Sequence, residues 1–413
     1  MLSQSLCNTC ERLEQAYDQA GHANRERTHP SVLLNWSLNL DASSQQNEAS
    51  TARALGTTMT DRIEAMGKDE VNAQLSGIIN GAALTLCLSI GHRTGLLETM
   101  AHLPPSRSDE IAAAAGLQER YVREWLNAMT MGRLITFEPC SSTYLLPADV
   151  AAAVTAAAGP RNYSFTAQYL SILGAVEDDI VEHFKSGGGV AYDRYPTYQA
   201  IRAEKSAAFF DSSLISDVLP LVPGLTDRLR AGVVVADVGC GHGHAICVLA
   251  KAFPNSSFIG LDLSTDVIAK ARETATQLGL HNASFEAVDI ATMRGAFDVV
   301  MAFDVIHDLA QPRVVLEAIR ASLRPDGVFL CADFAGSSSV EDNVALPLAP
   351  WFYTVSLMLC MTVSLADGGE GLGNMWGEQR AVEYLSRAGF TVAEPVHLAA
   401  DPQGVYYVCR PSA

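Results

Sequence analysis

The sequence has little positive charge for its size. Among its 413 residues, 28 Lys and Arg stand against 46 Asp and Glu, which gives a formal net charge of -18. Nucleic-acid binding leaves a basic patch or a high isoelectric point in a sequence, whereas an acidic surface repels phosphates. We therefore expect no nucleic-acid partner.

The nine cysteines form no paired framework. The one C-x-x-C pair, Cys7 and Cys10, lacks a second ligand pair at zinc spacing, so we interpret it as two thiols without a metal. No secretory signal is evident, and Glu11, Glu14 and Asp18 argue against an organelle transit peptide. The sequence therefore predicts a cytoplasmic protein with reduced thiols.

Long uncharged stretches are also scarce, and one of them is about as long as a membrane span. This stretch is residues 346–366. Pro347 and Pro350 stand near its start, and its end is followed by Asp367 and not by basic residues. We predict a buried helix that lines a pocket, and we expect no membrane contact.

Composition and periodicity divide the chain into four parts. Residues 1–65 are rich in Ser, Gln, Asn, Thr and Ala, which predicts a disordered tail. Residues 66–150 follow the order helix, turn, helix and two short strands, which is the order of a winged-helix domain. Residues 151–230 predict a helical linker that contacts substrate, and residues 231–413 alternate strands and helices as in an α/β domain.

The second helix of the winged-helix pattern, residues 119–130, would be the one to enter DNA. Its basic residues are Arg120 and Arg123, followed by Arg133. They are too few for DNA binding on an acidic protein. We interpret this domain as a dimerisation and substrate-shielding module, and we predict a homodimer.

A glycine-rich loop separates a predicted strand, residues 233–237, from a predicted helix. Gly239, Gly241 and Gly243 alternate with other residues in this loop. Glycine allows a sharp turn and a close approach to a ligand. The spacing differs from the G-x-G-x-x-G dinucleotide pattern, and the loop has no lysine to hold a phosphate. A nucleotide-like ligand without a pyrophosphate is the prediction.

Carboxylates follow the predicted strands, and ligands of open α/β sheets bind outside the carboxyl ends of the strands. Asp262 comes about 20 residues after the loop, where an acid takes ribose hydroxyls. Asp289 could accept an exocyclic amine of a purine, and Asp237 suits a cationic amine because a buried charge needs a partner. S-adenosylmethionine meets each of these requirements, so we predict it as the cofactor.

Five segments, taken in order, resemble class I S-adenosylmethionine-dependent methyltransferases. They are DVGCGHG, LDLS, AVDI, FDVVMAFDVIHDL and LRPDGVFL, at residues 237–243, 261–264, 287–290, 297–309 and 323–330. From about residue 65 to 410 the chain is similar to the bacterial-type members of this family that carry an N-terminal winged-helix domain. The resemblance implies a Rossmann-like sheet of seven parallel strands in the second domain.

The resemblance also implies which residues bind the cofactor. The motif positions are Asp237, Gly239, Gly241, Asp262, Asp289 and Ile290. We add the loop residue Cys240 through its backbone, together with Leu263, Phe303 and Asp304, which follow or end the neighbouring strands.

His307 and Asp308 form an H-D pair just past the fourth predicted strand. Related small-molecule O-methyltransferases place a general-base histidine in a similar pair, so the resemblance implies that His307 is catalytic. The alternative is a histidine that packs under the cofactor or caps a helix. Leu309 stands where those enzymes have a tryptophan, and their downstream acid is not evident here.

The sequence therefore predicts a methyltransferase that acts on a small, apolar or aromatic acceptor. Aromatic residues near position 351 could cover the acceptor site or belong to the core. Tyr192, Tyr195 and Tyr198 could likewise contact the ligand or pack in the core. His242 and His244 lack a third ligand, so no metal is expected. The alternative function is a non-catalytic, cofactor-binding regulator that uses its winged helix on DNA.

Overall fold

The structure is a computed structural model that describes residues 67–412 except Pro196. The predicted disordered tail and the Cys7–Cys10 pair lie outside the described residues.

The first part of the described chain is a helical module with a two-stranded wing. Its elements are α1 (Lys68–Arg93), α2 (Leu96–Ala101), α3 (Ser108–Ala115), α4 (Glu119–Met131), β1 (Thr136–Glu138) and β2 (Thr143–Leu145). Apolar side chains of these elements, Leu126 and Met129 among them, form one core cluster. The predicted winged-helix domain is confirmed. The helix expected from Ser106 begins two residues later, because Ser106 pairs with Tyr144 of β2 through backbone hydrogen bonds.

Helices dominate the middle of the chain, as expected. They are α5 (Ala148–Val154), α6 (Tyr163–Ala167), α7 (Tyr169–Gly174), α8 (Glu177–Ser186), α9 (Tyr198–Ser213) and α10 (Leu225–Ala231). A π-helical turn, Leu214–Val218, extends α9. Helix α9 also packs against the helix that follows the glycine loop, so the middle region touches the predicted cofactor site.

The second domain is built on one eight-stranded sheet. Its strands are β3 (Val234–Val238), β4 (Ser257–Asp262), β5 (Ala283–Ala287), β6 (Phe297–Phe303), β7 (Leu323–Phe334), β8 (Phe390–Val392), β9 (Val396–Leu398) and β10 (Asp401–Pro411). The strand order is β5-β4-β3-β6-β7-β10-β8, with β9 beside β10.

The Rossmann-like class is confirmed, with one correction to the expected seven parallel strands. Strands β3 to β7 are parallel, but β10 runs antiparallel to β7, β8 and β9. Only two residues connect β9 to β10, and so short a connection can join antiparallel neighbours only. The sheet is therefore mixed.

Strand β3 lies at the point where the strand order reverses. The chain proceeds from β3 to β4 and β5 on one side, then crosses to β6 and β7 on the other. Such a reversal opens a crevice at the carboxyl ends of the two central strands, which is where ligands bind in this architecture. The glycine loop and the H-D pair both begin at this crevice.

Both faces of the sheet are buried by helices. These include α11 (His244–Ala252), α12 (Thr265–Gln277), α13 (Pro312–Ser322) and, later in the chain, α16 (Glu378–Arg387). Side chains alternate between the faces along a strand. Accordingly, Val235 of β3 joins one core cluster and Ala236 the other.

The uncharged stretch at residues 346–366 forms one bent helix. It comprises α14 (Ala349–Val355), a π-helical turn (Ser356–Cys360) and α15 (Met361–Ala366). Its inner face packs against Tyr169, Tyr195 and Tyr198, which are buried. We call this helix, together with α7 and α9, the helical cap of the sheet.

By length and composition alone, two helices could cross a membrane, or three if the bent pair Tyr198–Leu221 and Leu225–Ala231 counts as one. The two are α1 and the bent helix Ala349–Ala366. In the most apolar window of the bent helix 44% of the residues are buried, but in that of α1 only 6%. Helix α1 is thus the apolar element that the described part of the chain leaves most exposed.

Candidate active site

The glycine loop takes a conformation that its three glycines allow. Gly239, Gly241 and Gly243 have φ angles of 69°, 53° and 73°, in the left-handed region that side chains disfavour. A Cβ at Gly239 would lie 2.6 Å from Val305, and one at Gly243 would lie 2.3 Å from Phe285. At Gly241 a Cβ would meet nothing within 4 Å, so the middle of the loop faces open space.

Asp237 lies at the end of β3 beneath this loop and is 4% exposed. Among the described residues its carboxylate has no hydrogen-bond or ion-pair partner. Burial, followed by repulsion from Asp262, raises the pKa of Asp237 to about 8. A buried acid without a partner is suited to a cationic ligand group, because a cation would compensate the cost of ionising it.

Asp262 ends β4 and braces the glycine loop. One carboxylate oxygen accepts the N–H of Gly241 at 3.0 Å, and the other accepts the N–H of Ser264 at 2.9 Å. Each carboxylate oxygen has two lone pairs, so both retain capacity for a hydroxyl donor. The predicted ribose contact is compatible with this arrangement, and the brace is a second role that the sequence did not reveal.

The other predicted residues after β4 and β5 differ in exposure. Leu263 is 70% exposed beside the loop, and Ile290 is buried in a core cluster. The Asp289 side chain accepts the N–H of Ala291 at 2.9 Å and begins a short helical turn. The fold brings Asp289 to the same edge as Asp262, while the Ile290 side chain packs into the core.

Phe303 and Asp304 end β6 on the opposite side of the crevice. The Phe303 ring lies 5.3 Å from that of Phe210 in α9. Asp304 has a left-handed φ of 54° and accepts a hydrogen bond of 2.7 Å from Nη2 of Arg202. This ion pair joins the helical cap to the sheet at the predicted cofactor site. Sequence reasoning did not identify Arg202.

His307 is 1% exposed and lies between two carboxylates. Its Nδ1 is 2.6 Å from Oδ1 of Asp333, and its Nε2 is 3.2 Å from Oδ1 of Asp308. These contacts are ion pairs without hydrogen-bond alignment. Asp333, at the end of β7, is the downstream acid that the sequence comparison did not make evident. The reason it was missed is that only the fold places β7 beside the H-D pair.

The two carboxylates determine the charge of this histidine. Burial alone lowers the pKa of His307, but Asp333 and Asp308 outweigh burial and raise the pKa well above its ordinary value. Burial raises the pKa of Asp333, whereas the imidazolium keeps the pKa of Asp308 low despite burial. The two carboxylates therefore favour the protonated form of His307, with each ring nitrogen facing one of them.

Two further groups complete the cluster around His307. Tyr192 donates its hydroxyl to Oδ2 of Asp308 at 2.7 Å. Cys360 of the bent helix lies beside His307 and Asp308. One ligand atom of each of these three residues lies within 4.8 Å of the other two. Burial raises the pKa of the Cys360 thiol to about 12, so without a metal this cysteine is a thiol at neutral pH. The absence of a metal stays a prediction.

A small cavity of about 20 Å³ separates the helical cap from His307. Its walls combine aromatic and aliphatic side chains with four charged ones: Tyr169, Tyr198, Arg202, Asp304, His307, Asp308, Phe334, Val355, Leu359 and Cys360. Phe352, one of the aromatic residues near position 351, packs against Phe334 behind this wall, with ring centroids 5.4 Å apart. Trp376 instead belongs to the core. Its volume has room for about one water molecule, so an acceptor could enter only if the helical cap moves away from the sheet. We take the residues that line this cavity as the candidate acceptor site.

The fold and the site together define a class I methyltransferase. Residues 229–367 match the family described as a methyltransferase domain, and residues 82–156 match an Rv2258c-like winged HTH domain. Residues 229–367 thus belong to a methyltransferase domain and residues 82–156 to a winged-helix domain, which are the two domains that the motifs predicted. The prediction of S-adenosylmethionine as the cofactor of this family is likewise confirmed.

Curated relatives match parts of the chain. A fatty-acid O-methyltransferase of Mycolicibacterium smegmatis is 34% identical over 102 residues, covering 25% of this chain and 37% of that protein. A trans-aconitate 2-methyltransferase of Deinococcus radiodurans is 37% identical over 112 residues, covering 27% of this chain and 40% of that protein. The chain thus spans about two fifths of the length of these relatives.

Solved structures share the fold over most of the chain. The mitomycin 7-O-methyltransferase MmcR has a TM-score of 0.62 at 17% identity, with 83% of this chain and 98% of that chain covered. Human N-acetylserotonin methyltransferase, in complex with S-adenosylmethionine, has a TM-score of 0.61 at 15% identity, with coverages of 84% and 100%. At such identities the likeness establishes the fold alone.

The residues at the crevice fit this cofactor. Asp237 is a buried carboxylate without a partner among the described residues, Gly241 faces open space, and Asp262 keeps lone pairs for hydroxyls. When bound, S-adenosylmethionine supplies a methyl group activated by a sulfonium. The protein's part is to hold the acceptor in line and to exclude water.

Proposed function

We propose that this protein transfers the methyl group of S-adenosylmethionine to a small acceptor with an apolar or aromatic body. The observation that carries the proposal is Asp237, a buried carboxylate beneath an open glycine loop that has no partner among the described residues. The cavity beside His307 supports the nature of the acceptor, because aromatic and aliphatic side chains form most of its wall. Named relatives that methylate a fatty acid and trans-aconitate support the reaction class.

Calorimetric titration with S-adenosylmethionine tests the cofactor site directly. Asp262→Asn should weaken binding tenfold or more, because a charged hydrogen bond contributes about 1.5–3 kcal/mol. Asp266→Ala serves as the matched control, since Asp266 is an exposed acid in the first turn of α12. No heat of binding with the intact protein would refute the proposal, and equal affinities for the two variants would refute the role of Asp262.

His307 would serve as general base only for an acceptor that carries a proton to remove. Both of its ring nitrogens face carboxylates, which favour the protonated form and so reduce the share of His307 that can accept a proton. A His307→Gln variant separates the two roles that the sequence left open. Unchanged turnover of a hydroxyl acceptor by this variant would exclude the base.

The alternative function, a DNA-binding regulator, has less support. Helix α4 would be its recognition helix, but Arg120 pairs with Glu124 and Arg123 pairs with Glu119 on that helix. Paired arginines have little charge left for phosphates, and the whole chain is acidic. We therefore assign the winged-helix domain to dimerisation and to shielding of the substrate.

We also propose a homodimer that forms through α1. The occupant of its apolar face would be a second copy of this chain, because the exposed side chains lie along one continuous helix of 26 residues: Val71, Leu75, Ile78, Ile79, Leu86 and Ile90. Exposed apolar surface of this extent is typical of an interface. Its position in the predicted dimerisation domain favours a subunit contact over a membrane contact.

Light scattering during gel filtration tests the dimer. Ile79→Glu should yield a monomer, because Ile79 is 69% exposed on this face and a glutamate would be buried without a partner in the interface. Asn80→Glu, at an exposed polar position on another face of the same helix, should remain dimeric. If the protein instead sediments with phospholipid vesicles and Ile79→Glu abolishes that, α1 is a membrane contact and the dimer proposal is wrong.

A cytoplasmic location remains our proposal for the compartment. Cys247, Cys331 and Cys409 are buried as free thiols within the two sheet cores. Such thiols persist in reducing compartments.

A further inference from the structure

One guanidinium lines the candidate acceptor cavity. Arg202 projects from α9, and its side chain keeps 22% of its surface exposed at the cavity. One of its N–H groups donates to Asp304, and the Tyr169 hydroxyl is also in hydrogen-bond contact. Since a guanidinium carries five N–H donors in a fixed fork, donors remain for a ligand in the cavity.

The same cavity offers no free base. His307 faces Asp333 and Asp308 with its two ring nitrogens. Among the other lining acids, Asp304 is held by Arg202, and Asp308 also accepts the Tyr192 hydroxyl. An acceptor that must lose a proton during methyl transfer would find its base already paired. An acceptor that enters as an anion has no proton to lose and therefore needs no base.

We propose that the methyl acceptor is a carboxylic acid, bound as its carboxylate by Arg202, and that the product is its methyl ester. The proposal rests on the methyltransferase function argued above and specifies its substrate class. A guanidinium and a carboxylate match in geometry and form paired, charge-assisted hydrogen bonds. The apolar body of the acid would then lie against Tyr198, Phe334 and Leu359.

The reaction balances without a base or a further reactant. A carboxylate oxygen provides the electron pair of the new O–CH3 bond, and the S–CH3 bond breaks with its pair left on sulfur. The negative acceptor and the positive sulfonium become a neutral ester and a neutral thioether. No proton is transferred. Asp304 has a positioning role in this arrangement, because its ion pair orients the Arg202 fork from the end of β6.

The test uses acceptor pairs that share a carbon skeleton, such as decanoic acid with decanol and decanamide, and benzoic acid with benzyl alcohol and benzamide. The full chain is saturated with S-adenosylmethionine for turnover and with S-adenosylhomocysteine for binding. Release of S-adenosylhomocysteine and the mass of the methyl ester measure turnover, and calorimetry measures acceptor binding. We expect ester formation from acids, no product from alcohols, and at least tenfold tighter binding of acids than of amides.

Variants connect this preference to Arg202. Arg202→Met should reduce kcat/KM for acids at least 100-fold and remove the preference for acid over amide when S-adenosylmethionine is kept saturating. Arg202→Lys, which keeps the charge but loses the fork, should recover part of the binding. Arg230→Met is the matched control, because Arg230 is exposed and pairs only with Asp227 among the described residues. It should behave as the wild type.

The outcomes separate the two proposals. Equal binding of acids and amides by the cofactor-loaded protein, or methylation of alcohols in preference to acids, would overturn the carboxylate inference while the methyltransferase function stands. An acid preference that survives in Arg202→Met would overturn the role of Arg202. A protein that does not bind S-adenosylmethionine at all would refute the proposed function itself.

Discussion

Replacing Asp237 with asparagine should remove most of the pH dependence of cofactor affinity. In the cofactor-free protein the pKa of Asp237 is raised to about 8, chiefly by burial. The carboxylate must lose its proton to pair with the amino group of S-adenosylmethionine. An α-amino group has a pKa of about 7.7–8.0, so it is largely protonated below about pH 7.

These two pKa values define the size of the effect. At pH 7 only about one tenth of Asp237 is ionised, which weakens binding by about 1.4 kcal/mol. Binding requires ionised Asp237 and a protonated amine, so affinity follows the ionised fraction of Asp237 multiplied by the protonated fraction of the amine. This value rises about 20-fold from pH 6 to pH 8 and falls again above pH 8, where the amine loses its proton. At pH 7, binding should release about 0.8 proton per cofactor.

Calorimetry at several pH values measures both quantities. Titrations in buffers with different ionisation enthalpies give the number of protons released. In Asp237→Asn the affinity should be nearly constant between pH 6 and pH 8. The variant should resemble the wild type at pH 6, where Asp237 is already neutral, and bind at least tenfold more weakly at pH 8. An affinity of the wild type that stays flat over this range would refute the reasoning, as would a rise that persists in the variant.

The same pKa predicts how the cofactor-free protein responds to pH. Because the folded pKa of Asp237 lies above the unfolded value of about 3.9, this group stabilises the fold most below pH 4. That contribution declines as the pH rises and is lost through pH 8. Thermal unfolding should therefore show a smaller loss of stability between pH 5 and pH 9 in Asp237→Asn than in the wild type.

Two further predictions concern the loop and the histidine. Gly243→Ala should lower the free energy of unfolding, measured in urea, by about 2–4 kcal/mol, because the new Cβ would clash with Phe285 and the φ angle is left-handed. Gly241→Ala has only the unfavourable φ angle and should lower it by about 1–2 kcal/mol. Equal decreases in the two variants would contradict the clash with Phe285. Asp333→Asn should lower the pKa of His307, because it removes one of the two carboxylates beside the ring. A pH titration of the 13C or 15N chemical shifts of the imidazole measures this pKa. An unchanged pKa in the variant would refute the ion pair between His307 and Asp333.

Local patterns were sufficient to predict several elements residue by residue. The apolar periodicity of residues 225–231 and 265–277 predicts two helices with these bounds, and Ser264 is a typical N-cap residue. The structure has the helices Leu225–Ala231 and Thr265–Gln277, and Ser264 caps the second of them by accepting the N–H of Val267. The positive φ angles of Gly239 and Gly241 agree with the sharp turn that the glycine spacing predicted. Propensity, capping and turn chemistry act over a few residues, so they can be inferred from the sequence.

Other expectations failed because they depended on distant neighbours. Strands β8 and β9 are short, and both pair antiparallel with β10, which depends on how the chain connects these strands. The acid partner of His307 was not evident from the sequence, although Asp333 stood at the end of a predicted strand. The position of Asp333 in the sequence does not indicate which side chain it faces in the fold.

The sequence by itself determined that the predicted cofactor-binding residues lie at one edge of the sheet. Parallel strands end at one edge of a sheet, so Asp237, Asp262 and Asp289 had to come to the same edge once the strands were recognised. Only the tertiary structure decided the chemistry of the acceptor side. Arg202 and Asp304 are 102 positions apart, and neither carries a local pattern that selects the other. Their contact arises from the packing of the helical cap on the sheet, which depends on the fit of buried surfaces across the whole chain.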